Sequence, residues 1–178
     1  MSVASLFALA LATVTGGILS GPLVMGLFRM AFKTLKGDRP IMRDLFEWRG
    51  TFLQSFLTGI IFVVVHFALA GAGNTSGFLK LLYLAAVPFL SILFGFTISH
   101  VLERKMDVVH SINDVAKLVF SRDAFMWWVV GLVFAAITAG GFLACGAGVL
   151  VTLPWMISSA ALAYRDVFGI DDPNRTNQ

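Results

Sequence analysis

Charged side chains fall in clumps along this chain and leave long apolar runs between them. Residues 1–28, 51–79 and 124–164 contain no Asp, Glu, Lys or Arg. An uncharged apolar stretch of about 18 residues or more is long enough to cross the hydrocarbon core of a bilayer as a helix. The pattern predicts five such helices, at about 3–32, 52–70, 78–101, 125–140 and 147–164. The final run is divided because roughly 40 residues of helix would extend about 60 Å, twice the thickness of that core. Ala139-Gly140-Gly141 and Gly146-Ala147-Gly148 supply the turn. Gly16-Gly17 and Gly21-Pro22 interrupt the first run, which reads either as one kinked span or as a half-span followed by a short helix.

Composition agrees with this pattern. The 178 residues are 58% hydrophobic and 13% charged, with mean hydropathy +0.86. That is too little charge to cover the water-facing surface of a soluble domain, so soluble enzymes, nucleic-acid binders and disordered chains are excluded as readings. The expected fold is an all-α polytopic transmembrane bundle: one domain over 1–168, then a polar, disordered tail over 169–178. Of thirteen Lys and Arg residues, all but Lys80 flank the first connection, the third connection or the tail. The positive-inside rule makes that side cytoplasmic. Five spans with the N-terminus out and the C-terminus in satisfy both the charge bias and the span count. No basic region precedes the first apolar run, so a cleavable leader is not expected. The lone cysteine, Cys145, lies in an apolar stretch and permits no intrachain disulfide.

The cytoplasmic connections carry their own pattern. In 101–123, Leu102, Met106, Val109, Ile112, Ala116 and Val119 recur at three and four, which predicts an amphipathic helix lying on the inner leaflet, capping the bundle or docking a partner. A short interfacial helix is expected from Met42. A recurring frame, Arg43-Asp44-Leu45-Phe46, Arg122-Asp123-Ala124-Phe125 and Arg165-Asp166-Val167-Phe168, marks three predicted inner boundaries. There Arg reaches phosphates, Phe enters the acyl region, and Asp44 and Asp123 precede helices whose free amides they can accept from. Its sharper reading is an Arg–Asp network tying the cytoplasmic ends together. Trp48, Trp127, Trp128 and Tyr164 fit as anchors at the inner interface, and Tyr83 as one near the outer.

Little chemistry is available inside the spans. His66 is the one ionisable side chain deep in a predicted span, and it reads either as a pathway residue or as an interhelical hydrogen-bond partner. Arg29 is near enough to the inner surface to snorkel. Pro22, Pro88 and Pro154 each interrupt a predicted span, as kinks or hinges. Gly131, Ala135 and Ala139 form a small-residue face, and Ser91 with Gly95 forms another, both suited to close helix packing. Gly16…Pro22…Lys33…Gly37 aligns without gaps on Gly148…Pro154…Arg165…Gly169, the trace of an internal repeat or of shared helix-ending grammar. No nucleophile elbow, paired catalytic carboxylates or metal-ligand spacing is present, so neither catalysis nor a cofactor or metal is expected.

The order Gly21-Pro22-Leu23…Gly26…Arg39-Pro40…Asp44-Leu45-Phe46, then Asp107…Ala116…Ser121, then Gly146…Pro154…Ala163-Tyr164-Arg165 resembles a broad group of bacterial multi-pass integral membrane proteins. The group includes the membrane domain found with some glycerophosphodiester phosphodiesterases. The resemblance implies a bacterial cytoplasmic membrane and no settled biochemical role, and this chain carries no phosphodiesterase portion. Two functions follow as expectations. One is a non-catalytic scaffold or accessory subunit, contacting membrane lipids and forming a homo-oligomer or larger complex, without nucleic acid. The other is a small transporter or channel for a lipid or solute, using kinked helices and His66.

Overall fold

The computed structural model describes residues 20–48, 50–121, 123–143 and 149–170, with side chains described for 21–48, 50–121, 123–137 and 152–170. The described residues are helical and contain no strand: α1 (Ser20–Leu35), a 3-10 helix (Met42–Phe46), α2 (Phe52–Gly73), α3 (Gly77–Arg104), α4 (Val108–Val119), α5 (Ala124–Leu143) and α6 (Val149–Phe168). Two helices, α2 and α3, are long and apolar enough to cross a membrane, and a third span exists if α4 and α5, bent by 108°, count as one. The start of the first predicted span and the opening glycine of each repeat copy, Gly16 and Gly148, lie outside the described residues, as do Arg49, Arg122 and tail residues 171–178.

Helix α3 is the axis of the bundle. It forms a hairpin with α2 across Asn74–Ser76, where Ser76 caps α3 by accepting from the Leu79 amide at 3.2 Å. Helices α1 and α6 run parallel to α3. Lys36 meets Glu103 as Phe28 meets Gly95, and Tyr164 meets His100 as Phe168 meets Arg104. The three chains therefore finish at one end, bringing Lys33, Lys36, Arg104 and Arg165 together, while Lys80 lies at the far end of α3. The buried core is built from Leu23, Leu27, Phe32, Ile92, Phe96, Val101, Ile157 and Tyr164, contributed by all three.

Glycines set how closely these helices approach. A methyl on Gly21 would collide with the Ser55 carbonyl oxygen and stand 3.0 Å from the Gly59 amide, so α1 meets α2 backbone to backbone. At Gly131 the same contact joins α5 to α3 at Pro88. Pro88 removes a backbone donor within α3, and in the turn before it the Trp128 indole donates to the Ala85 carbonyl at 2.9 Å. This bond ties α5 to α3 one residue beyond the Leu84 carbonyl that Pro88 leaves without its helical donor.

Two sequence expectations change. The amphipathic helix is shorter than 101–123: α3 runs on to Arg104, Lys105 ends it in the left-handed region (φ 53°), and α4 starts afresh after Asp107. The break resets the phase, so the covered face is Val108, Ser111, Val115 and Val119, while Val109 is exposed. Helix α4 also turns back along α3, bringing Phe120 to 5.2 Å from Phe89. Second, Ala139-Gly140-Gly141 does not turn the chain, because α5 continues through it to Leu143. In an apolar surrounding, backbone groups freed by a turn have no water to bond, which outweighs the weak helix preference of glycine. Gly146-Ala147-Gly148 lies outside the described residues. Pro88 and Pro154 are interior to α3 and α6, as expected, while the residues that precede Pro22 by more than two lie outside the described residues.

A non-glycine residue in the left-handed region costs about 1 kcal/mol. Lys105→Gly is therefore expected to raise stability by about 0.5–1 kcal/mol, read as a higher unfolding midpoint in a fixed detergent.

Candidate functional site

The charged end of the bundle is the most elaborated polar region. The 3-10 helix folds its carboxylate inward: Asp44, 2% exposed, accepts from Lys33 Nζ at 2.6 Å and from the Ile41 amide at 2.8 Å. Lys36 Nζ donates to Glu103 at 2.9 Å and ties α1 to α3. Arg29 reaches Glu47 more loosely, at 3.4 Å. Around these groups lies a cleft of about 310 Å³ floored by Phe32 and Leu102.

Asp44 sets a pH limit on this end. Burial pushes its carboxyl up, but the Lys33 hydrogen bond, the Ile41 amide and the charges of Lys33 and Arg29 outweigh that, and it titrates below its ordinary 3.8. As pH falls, the unfolded chain takes up this proton before the folded one. The stabilisation is complete above the ordinary value and is lost as pH drops through the lowered one. Acid unfolding in detergent should show a limb that sets in as pH falls through Asp44's ordinary value of 3.8 and that Asp44→Asn abolishes. At neutral pH that substitution should cost about 1–3 kcal/mol, the Lys33 ammonium being partly solvated.

The recurring frames do not build the Arg–Asp network among the described residues. Asp44 pairs with Lys33, while Arg43 is exposed; Arg165 pairs with its own neighbour Asp166 at 3.0 Å. Asp123 is exposed beside Phe125, which is 77% exposed, and Arg122 lies outside the described residues. Phe46 is exposed and packs edge-on to Trp48, whereas Phe168 turns inward onto His100 and Tyr164. Trp127 is buried against Phe96, and Trp128 is spent on Ala85, so both join helices instead of marking an interface.

His66 and the packing residues sit further along α2 and α3. His66 Nε2 lies 3.0 Å from the Tyr83 hydroxyl, bridging the hairpin. Both His66 and Ser91 line a lateral groove of about 250 Å³ that is otherwise Gly59 and apolar side chains. Ser91 and Phe94 also border a partly open apolar pocket of about 180 Å³ between α1, α3, α5 and α6. Gly95 accommodates the Phe28 ring, Gly131 abuts Pro88, Ala135 is half-buried, and the Ala139 side chain is not described. His66→Phe is expected to cost only about 0.6 kcal/mol, the average for an interhelical hydrogen bond in a membrane protein, measured by unfolding in detergent.

A buried polar belt escaped sequence reasoning. Thr51, Ser55 and Thr58 on α2, Thr97, Ser99 and His100 on α3, and Ser111 on α4 are all buried. His100 reaches the Tyr164 hydroxyl through Nδ1 at 3.0 Å, while its Nε2 and the hydroxyls of Thr51, Thr97 and Ser111 have no protein partner among the described residues. The i, i+3, i+4 and i+7 spacings of these residues were the available signal. Among the described residues no group of three His, Cys, Asp or Glu side chains is placed to hold a metal.

No family model, curated protein or solved structure matches the chain.

Proposed function

We propose that this chain is a five-span protein of the bacterial cytoplasmic membrane, N-terminus out and C-terminus in, acting as a non-catalytic scaffold or accessory subunit of a membrane assembly. The observation that carries this reading is the contrast between the two ends of α2 and α3. One end is locked by Lys33–Asp44 and Lys36–Glu103. Elsewhere the hairpin presents uncovered apolar side chains, among them Val64, Phe67, Phe78 and Leu81. Such a surface suits lipid and neighbouring apolar helices, and a fixed polar end suits a defined depth and orientation. The parallel course of α1, α3 and α6, with their basic residues at a shared end, supports the five-span topology. The similarity to bacterial multi-pass proteins supports the membrane, and it rests on the residues of this chain alone.

Purification in mild detergent or native lipid, followed by mass spectrometry, tests the proposal. A stoichiometric foreign subunit or a defined homo-oligomer is the expected result; a monomer retaining a small solute would overturn it. Cysteines placed at 36 and 110 should label from the cytoplasm and one at 76 from outside. The lateral groove favours a second reading, transport of a lipid or solute past His66. That reading requires His66→Phe to abolish flux in vesicles while leaving folding nearly unchanged.

A further inference from the structure

The cleft at the charged end has a lining of unusual balance. Arg29, Lys33 and Lys36 face it from α1, and the carboxylates of Asp38, Glu47 and Glu103 face it from the connection and α3. Three positive charges oppose three negative ones, so the lining is neutral as a whole. The charges are not equally committed. Lys36 is held at 2.9 Å by Glu103, and Lys33 at 2.6 Å by Asp44 behind the wall. The Arg29 guanidinium has five donors and one loose partner, Glu47, at 3.4 Å. Asp38 makes no ion pair among the described residues and is exposed. The cleft therefore offers spare donors on Arg29 and spare acceptors on Asp38 and Glu47, above an apolar floor of Phe32 and Leu102.

We propose that this cleft binds the headgroup of a zwitterionic phospholipid bearing a primary ammonium, a phosphoethanolamine lipid. Its phosphate lies against Arg29, with Lys33 and Lys36 flanking, and its ammonium against Asp38 and Glu47. The glycerol end rests on Phe32 and Leu102. A simple anion would meet three carboxylates, which disfavours an anionic lipid. A quaternary ammonium lacks the N–H donors that free carboxylates accept, which disfavours a choline headgroup. The cleft's volume is at the small end of ligand sites, as a headgroup requires. The inference rests on the membrane reading above and adds a named lipid class and its residues.

The test uses the full-length protein purified in mild detergent, with native mass spectrometry of lipid retention. Phosphatidylethanolamine, phosphatidylglycerol and phosphatidylcholine with identical acyl chains are compared. Phosphatidylethanolamine should be retained about tenfold more tightly than either, the factor one charge-assisted hydrogen bond supplies. Asp38→Asn should bring it down to the phosphatidylcholine level, and Arg29→Gln should weaken all three lipids. Both positions are partly solvent-accessible, and an unchanged unfolding midpoint identifies variants that remain folded. Equal retention of the three lipids, or preference for phosphatidylglycerol, would overturn the site. Soluble O-phosphoethanolamine binding as tightly as the lipid would overturn the lipid assignment. Protein that stays monodisperse without detergent would refute the membrane reading itself, an outcome distinct from loss of lipid preference in protein that needs detergent.

Discussion

A single methyl group added at Gly131 is expected to destabilise the bundle by about 1–3 kcal/mol, although alanine is ordinarily the better helix former by about 1 kcal/mol. The reason is steric. At this position α5 lies directly on α3, and the new carbon would strike the carbonyl oxygen of Pro88 and lie 2.7 Å from its carbonyl carbon. Backbone cannot rotate away as a side chain can, so the two helices must separate. Separation also lengthens the Trp128–Ala85 hydrogen bond and loosens the edge-to-face pairing of Trp127 with Phe96, whose ring centroids are 5.3 Å apart. Gly131→Val should be worse, because branching adds volume in the same direction. Gly71→Ala is the matched control: nothing lies within 4 Å of the added methyl there, and the substitution should gain about 0.5–1 kcal/mol. Opposite signs at the two glycines, read from unfolding in one detergent, are the expected result. A neutral Gly131→Ala would mean that α5 does not pack on Pro88.

The small-residue spacing at Gly131 and Ala135 made a packing face legible in the sequence, but its partner was not. A face can be read from one helix, whereas the acceptor is a proline carbonyl more than forty residues earlier. The helices themselves were legible because an apolar surrounding penalises every unbonded amide, so long uncharged runs have little choice but to coil. Helix ends were less so. Lys105 breaks the chain in a conformation usually left to glycine, and no local composition marks it. At 139–141 the opposite error arises, since paired glycines look like a turn and continue as helix.

The charged end shows the same division. That basic residues gather on one side followed from their positions alone. Which acid each would meet did not, because Lys33 and Asp44 are joined by the fold of the intervening loop, and Lys36 and Glu103 by two helices that happen to run parallel. The recurring Arg-Asp frames suggested backbone amides for Asp44, and it does accept from Ile41, but its charged partner is Lys33 and the adjacent Arg43 is exposed. His66 was chosen for its depth, and its bond to Tyr83 is a hairpin bridge that either residue alone would not reveal. His100 stands near the end of the third predicted span, where nothing in the neighbouring sequence marks it as covered, yet it is fully buried. Its covering comes from α6, more than sixty residues later in the chain.

That covering gives the second large effect. Tyr164 is fully buried at the junction of three helices, with ring centroids 5.7 Å from Phe32, 5.9 Å from Phe96 and 5.0 Å from Phe168. Truncation to alanine opens a cavity among side chains that cannot all collapse into it and should cost about 3–5 kcal/mol. Tyr164→Phe preserves the ring and removes the hydroxyl that meets His100 Nδ1. The imidazole then loses this partner while its Nε2 has no protein partner among the described residues. A buried polar group in that state costs about 1–3 kcal/mol. His100→Phe alone should cost a similar amount, through loss of the bond to the Tyr164 hydroxyl and of the tight edge contact with Phe168, whose ring centroid lies 4.9 Å away. The double variant discriminates between explanations. If the pair serves only to satisfy itself, converting both members to phenylalanine removes both penalties, and the combined loss should be smaller than the sum of the two single losses. Strict additivity in detergent unfolding would show that the imidazole and the hydroxyl do not depend on each other.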